Sequence, residues 1–118
     1  MTDKKIKELI AEITSTKPIK LQIKGSRENA PRSIHYYNSK KQFVPDIVAI
    51  YKDKKDFYSI EKEFNENDIS MLTFKWILFS AEARKTSGTF FLVLDKSNAA
   101  ACKKIISHKV LEIELIEL

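Results

Sequence analysis

The sequence predicts one α/β domain. Stretches with helical periodicity alternate with short apolar or alternating runs along the whole chain. Of the 118 residues, 43 % are apolar and 31 % charged, with two glycines and three prolines. That balance suits a chain folding around a core, not a disordered or collagen-like one. The length matches a single domain of roughly 100–150 residues, so residues 1–118 are read as one unit.

Each element has its own signal. Ile6, Leu9, Ile10 and Ile13 recur at i, i+3, i+4 and i+7, which predicts an amphipathic helix over 3–15 with Thr2 as its N-cap. Pro18 follows the helix end. Residues 19–24 alternate apolar and polar positions, as a half-exposed strand does. Residues 25–42 are polar, contain Pro31 and predict a long loop, a length often functional or mobile. The run 43–51 is nearly all apolar, the mark of a strand covered on both faces. Lys52 to Lys55 turns the chain, and Asp56 to Phe64 returns as the second half of a hairpin. Asn67 or Asp68 caps a helix from about Ile69 to Arg84, with Gly88 in the loop beyond. Thr89–Leu94 is a buried strand, Asn98–Ser107 a helix, and Val110–Leu118 a last strand.

Several classes are excluded. No apolar stretch approaches the ~18 residues of a membrane span. Met-Thr-Asp-Lys-Lys leads into no apolar core of a secretory signal. A single cysteine, Cys102, makes neither an internal disulfide nor a cysteine-based metal site, and it reads as a small buried residue in a short helix. The expected compartment is the cytoplasm. The net charge of +5 is unevenly spread: residues 1–55 carry +7 and residues 56–118 carry −2. Between Lys17 and Lys41 seven basic residues stand against Glu28 alone. Such a stripe suits a polyanionic partner, or else a solvated lysine-rich surface.

Asp46 needs an explanation, because a charge inside an apolar strand is costly unless paired, hydrogen-bonded or bound to a metal. Pairing Tyr51 with Asp56 across the turn sets Asp46 directly opposite Glu61, with Glu63 on the same face. Three converging carboxylates call for a compensating cation, and hard oxygen ligands suit Mg²⁺ or Mn²⁺. Without such convergence, Glu61-Lys62-Glu63 is an ordinary charged edge.

Pro45-Asp46-Ile47, a hairpin, and then Ile60-Glu61-Lys62-Glu63 resemble the core motif of the PD-(D/E)XK nuclease superfamily. The resemblance implies a restriction-endonuclease-like core of helix, three-strand meander, helix and strand, followed here by a C-terminal helix and strand. It implies that Asp46 and Glu61 hold the metal, with Glu8 (or Glu12) joining from the first helix. The motif lysine is replaced by Glu63, which would serve as a further ligand or activate water. In some members the lysine sits on the following helix, where this chain has Lys75. Between Phe74 and Trp76, Lys75 is also read as snorkelling from an apolar helix.

The implied activity is metal-dependent hydrolysis of DNA phosphodiesters, with a homodimer as a possible assembly. Lys24, Arg27, Arg32, Tyr36, Lys40 and Lys41 are the expected nucleic-acid contacts, cations and an aromatic suited to phosphates and bases. The alternative is a catalytically inactive module of the same fold that binds nucleic acid or a protein. No Gly-rich phosphate loop and no zinc spacing competes with these readings.

Overall fold

The structure, a computed structural model, describes residues 2–35, 40–63, 65–109 and 112–118. Its elements in chain order are α1 (Asp3–Ser15), β1 (Lys20–Ile23), β2 (Ile34–His35), β3 (Gln42–Phe43), β4 (Ile47–Ile50), β5 (Lys55–Glu61), a 3₁₀ turn (Glu66–Asp68), α2 (Ile69–Lys85), β6 (Phe90–Leu94), α3 (Lys96–Lys109) and β7 (Glu114–Glu117). A five-stranded sheet runs β1-β4-β5-β6-β7, and β2 and β3 form a separate two-stranded ribbon. β1, β4 and β5 pair antiparallel, while β5, β6 and β7 pair parallel. The protein is thus a compact α/β domain with, among the described residues, three helices and a mixed sheet.

The sheet is covered on both faces, which explains the uninterrupted apolar reading of β4. On one face Leu9 and Ile13 of α1 pack with Ile47, Ala49, Tyr58 and Val93. On the other, Leu72, Trp76, Phe79 and Ala83 of α2 and Cys102 of α3 pack on Val48, Phe57, Phe90, Leu92 and Leu94. α1 begins where the sequence places it, and Thr2 Oγ1 accepts the Lys5 N–H at 3.3 Å as its cap. Asp68 takes the N-cap position of α2 without a side-chain hydrogen bond.

Three expectations are corrected. The strand expected over 43–51 is β4 alone: Phe43 instead pairs with Ile34 in the ribbon, and Pro45, lacking an N–H, interrupts the ladder. β5 ends at Glu61, not Phe64, and Phe64 lies outside the described residues. The hairpin register is also displaced by two residues. Ile50 pairs with Lys55 and Ile47 with Tyr58, so Tyr51 is in the turn, donating its N–H to the Lys54 carbonyl at 2.8 Å. Tyr51 and Asp56 have other partners. The Tyr51 hydroxyl bonds Thr16 Oγ1 at 2.7 Å, and Asp56 Oδ1 accepts the Thr89 N–H at 2.9 Å. A slip of two preserves the face, because side chains alternate with period two.

Candidate active site

The chain ends that carry chemistry converge at one end of the sheet. β1 and β5 run the same way, with Lys24 just past the end of β1 and Glu61 closing β5, while Asp46 stands just before antiparallel β4. In open α/β sheets the carboxyl ends of strands are where ligands are received.

Extending the observed register one step sets Asp46 level with Ser59, not Glu61, so the expectation of a direct Asp46–Glu61 pair is corrected to a diagonal one. The cause lies in the backbone. Asp46 donates its N–H to the Tyr58 carbonyl at 3.0 Å, and its Oδ2 accepts the Ile60 N–H at 2.6 Å. A side-chain oxygen therefore takes the place that a ladder carbonyl would have filled, and the half-buried carboxylate borders the hollow beside α1. Burial raises its pKa above the ordinary carboxylate value. The Ile60 hydrogen bond and the charges of Lys24 and Lys75 pull in the other direction, and Glu61 adds to the rise.

Glu61 is 8 % exposed at the end of β5. Its Oε1 accepts the Ser59 hydroxyl at 2.8 Å and forms an ion pair with Lys75 Nζ, reaching down from α2. Lys75 thus turns inward to a strand carboxylate instead of snorkelling outward. Ser59 was missed in the sequence, although its signal was there: it alternates with Glu61 onto the same face of β5. Cys102 sits close enough to feel Glu61, but burial first, and that charge second, push its thiol up to about 11, so it is held as the protonated thiol.

The other expected residues are dispersed. Glu63 is exposed in the loop beyond β5. Glu8 and Glu12 are exposed on α1 and do not face the site. The face of α1 that does so presents Asp3, Ile6, Lys7 and Ile10, spaced at helical intervals, and its acid is Asp3, 3.7 Å from Lys62. Glu8, expected to join Asp46 and Glu61, is not among the residues lining the hollow beside Asp46. Arg27 is exposed in the turn after β1. Lys40 and Lys41 line a groove with Phe43, Met71 and Phe74 at the start of α2, and Lys41 Nζ lies 5.7 Å from the Phe74 ring centre. Arg32 lies elsewhere, in a hollow with Ile50, Lys55 and Glu82 toward the hairpin end. Tyr36 falls outside the described residues.

Among the described residues, no group of three His, Cys, Asp or Glu side chains converges as a metal cage. Asp46 and Glu61 nonetheless suit a hard divalent ion. Each commits one oxygen to the protein, Oδ2 and Oε1 respectively, and leaves the other without a hydrogen bond among the described residues. Mg²⁺ is commonly bound by one or two carboxylates, keeping waters and substrate phosphate as its remaining ligands. Among the described residues, no helix is long and apolar enough to cross a membrane. No protein-family model, curated protein or solved structure matches the chain.

Proposed function

We propose that the chain is a metal-dependent nuclease that hydrolyses DNA phosphodiesters at the Asp46, Glu61 and Lys75 cluster, with Mg²⁺ or Mn²⁺ as cofactor. The observation that carries this reading is the reach of Lys75 from α2 to Glu61 beside Asp46. The superfamily that the sequence resembles needs two carboxylates and a lysine at one sheet end, and α2 supplies the lysine that Glu63 replaces in the motif. In this reading the core is restriction-endonuclease-like, with α1, the β1-β4-β5 meander, α2 and β6 in that superfamily's order.

Asp46 and Glu61 would hold the ion through their uncommitted oxygens. Such an ion would supply Lewis-acid polarisation of the phosphoryl group and a more acidic attacking water. Lys75 donates from its ammonium to a non-bridging phosphate oxygen, where negative charge grows as water attacks phosphorus. Ser59 keeps Glu61 aligned by donating to Oε1. Water adds to phosphorus, giving up a proton to Glu63, as the bond to the leaving sugar oxygen breaks, and that oxygen takes a proton from solvent. Glu63, exposed just past β5, would serve as the general base for that water.

Calorimetric titration of Mn²⁺ into wild type and Asp46→Asn tests the reading, alongside cleavage of duplex, branched and single-stranded DNA and of RNA. Wild type should bind metal and cut, Asp46→Asn should lose both, and Lys75→Met should keep metal binding while losing cleavage. Wild type that binds no metal and cuts nothing overturns it. One observation favours the alternative, a non-catalytic module of the same fold. Lys75 already neutralises Glu61, so the cluster is satisfied without a metal. In that case DNA is bound but not cut, and Asp46→Ala leaves metal behaviour unchanged.

A further inference from the structure

A cavity of about 550 Å³ opens between α1 and the site end of the sheet, and Asp46 forms part of its wall. Five isoleucines line it (Ile6, Ile10, Ile23, Ile47 and Ile60), with Lys7, Lys24 and Lys62 among the charged residues. Ile6 and Ile23 are half-buried and pack into neither core cluster, so what they line is the cavity, not the core. Half-buried aliphatic side chains in a concave wall with a few charged groups beside them are the make-up of a small-ligand site. The charge at the rim is not balanced. Three lysines stand against Asp3 and Asp46 in the lining: Asp3 faces Lys62 at 3.7 Å, Lys24 acts on Asp46, and Lys7 adds the excess cation beside the apolar wall. An open, largely apolar hollow with Lys7 and Lys24 in its lining fits a flat or ring-shaped body carrying a phosphate. The cavity's volume lies within the ~300–1,000 Å³ range of ligand pockets, room enough for a nucleoside monophosphate.

We infer that this cavity binds one nucleotide unit, its base and sugar against Ile6 and Ile23 and its phosphate between Lys7 and Lys24. The inference rests on the nuclease reading, because Asp46 borders both the cavity and the Glu61–Lys75 pair, making the cavity the seat of the nucleotide next to the cut bond. It goes further in assigning the base a pocket of aliphatic walls on the α1 side. It also predicts that a free nucleoside monophosphate occupies the site without metal.

The test is a titration of adenosine 5′-monophosphate into metal-free protein labelled at the isoleucine δ-methyl groups, followed by NMR. The Ile6 and Ile23 methyl signals should move saturably. Lys7→Gln and Lys24→Gln should each weaken binding about tenfold, as loss of a charged hydrogen bond does. Ile6→Gln and Ile23→Gln should weaken it with the thermal transition unchanged. Asp46→Asn separates this inference from the nuclease reading. It removes a negative charge from the wall, so it should bind the nucleotide at least as tightly while losing metal. Inorganic phosphate alone should leave the Ile6 and Ile23 methyls in place. No methyl shift at millimolar nucleotide overturns the inference, whatever the metal result. So does an equal shift with decanoate and none with the nucleotide, which would mark the cavity as an acyl-chain site.

Discussion

Asp46 sits in an environment unlike that of an ordinary surface carboxylate. It is half-buried, takes one hydrogen bond from the Ile60 N–H, and has its pKa raised above the usual 3.8, mainly by loss of water. The folded protein therefore holds the proton more tightly than the unfolded chain. The stability that the protonated group contributes is fully present below the unfolded value and is lost as pH rises through the folded value. Asp46→Asn keeps an acceptor for Ile60 and discards the charge. Its melting temperature should exceed wild type's at pH 7, by a margin worth on the order of 1 kcal/mol, and the gap should close toward pH 4. Equal melting curves at both pH values would show that the site charge is fully compensated. Lys75 and Glu61 have side chains only 17 % and 10 % exposed, so they behave as a buried pair. Lys75→Met leaves an unmatched buried carboxylate and should cost about 3–5 kcal/mol, whereas Lys75→Met with Glu61→Gln should recover most of it. Chemical denaturation of the two singles and the double gives that coupling directly.

Among the elements, the β5–β6 junction is the tightest. Gly88 lies against the backbone of Lys55, so a β-carbon there would overlap the Lys55 carbonyl oxygen. Asp56 Oδ1 holds the next N–H, that of Thr89, and Phe57 N–H donates to the Thr89 carbonyl at 3.0 Å. None of these partners can give way without breaking the parallel pairing of β5 and β6. Gly88→Ala should cost about 3 kcal/mol or more, from overpacking against main chain. Gly25, at φ +92° with open space around it, should lose only about 1 kcal/mol on the same change. Urea titrations compare them, the midpoint falling at unchanged slope. Periodicity and caps were enough to read α1 and α2 from the sequence, because those signals are local. The register of β4 on β5 was not legible, since it is set by main-chain bonds, Tyr51 N–H to Lys54 in the turn and Asp46 N–H to Tyr58 at the far end, that no residue type announces. The ribbon of β2 and β3 escaped for a similar reason: two-residue strands carry no alternation to read.

At the scale of the whole molecule, the basic stripe of the sequence is divided by the fold. Lys24 and Arg27 follow β1 at the site end, and Lys40 and Lys41 stand at the start of α2, which also leaves the site end from β5. Arg32 is carried to the hollow near the hairpin end instead, with Lys55 and Glu82. Composition showed the excess charge, but only the fold shows which cations share a surface with Asp46 and Glu61. A strand of DNA lying across the site end would displace counterions where it meets Lys24, Lys40 and Lys41, and none at Arg32. Each phosphate contact contributes about 0.9 to the slope of log affinity against log salt on duplex DNA. Metal-free binding measured from low to moderate salt should therefore lose about 0.9 of slope in each of Lys24→Gln, Lys40→Gln and Lys41→Gln. Arg32→Gln should leave the slope as it is, although it removes the same charge from the same stretch of sequence. If all four changes lowered the slope alike, DNA would be responding to net charge alone. If none did, the lysines at the site end would be solvated surface, and the polyanion would have to be bound by some other face of the protein.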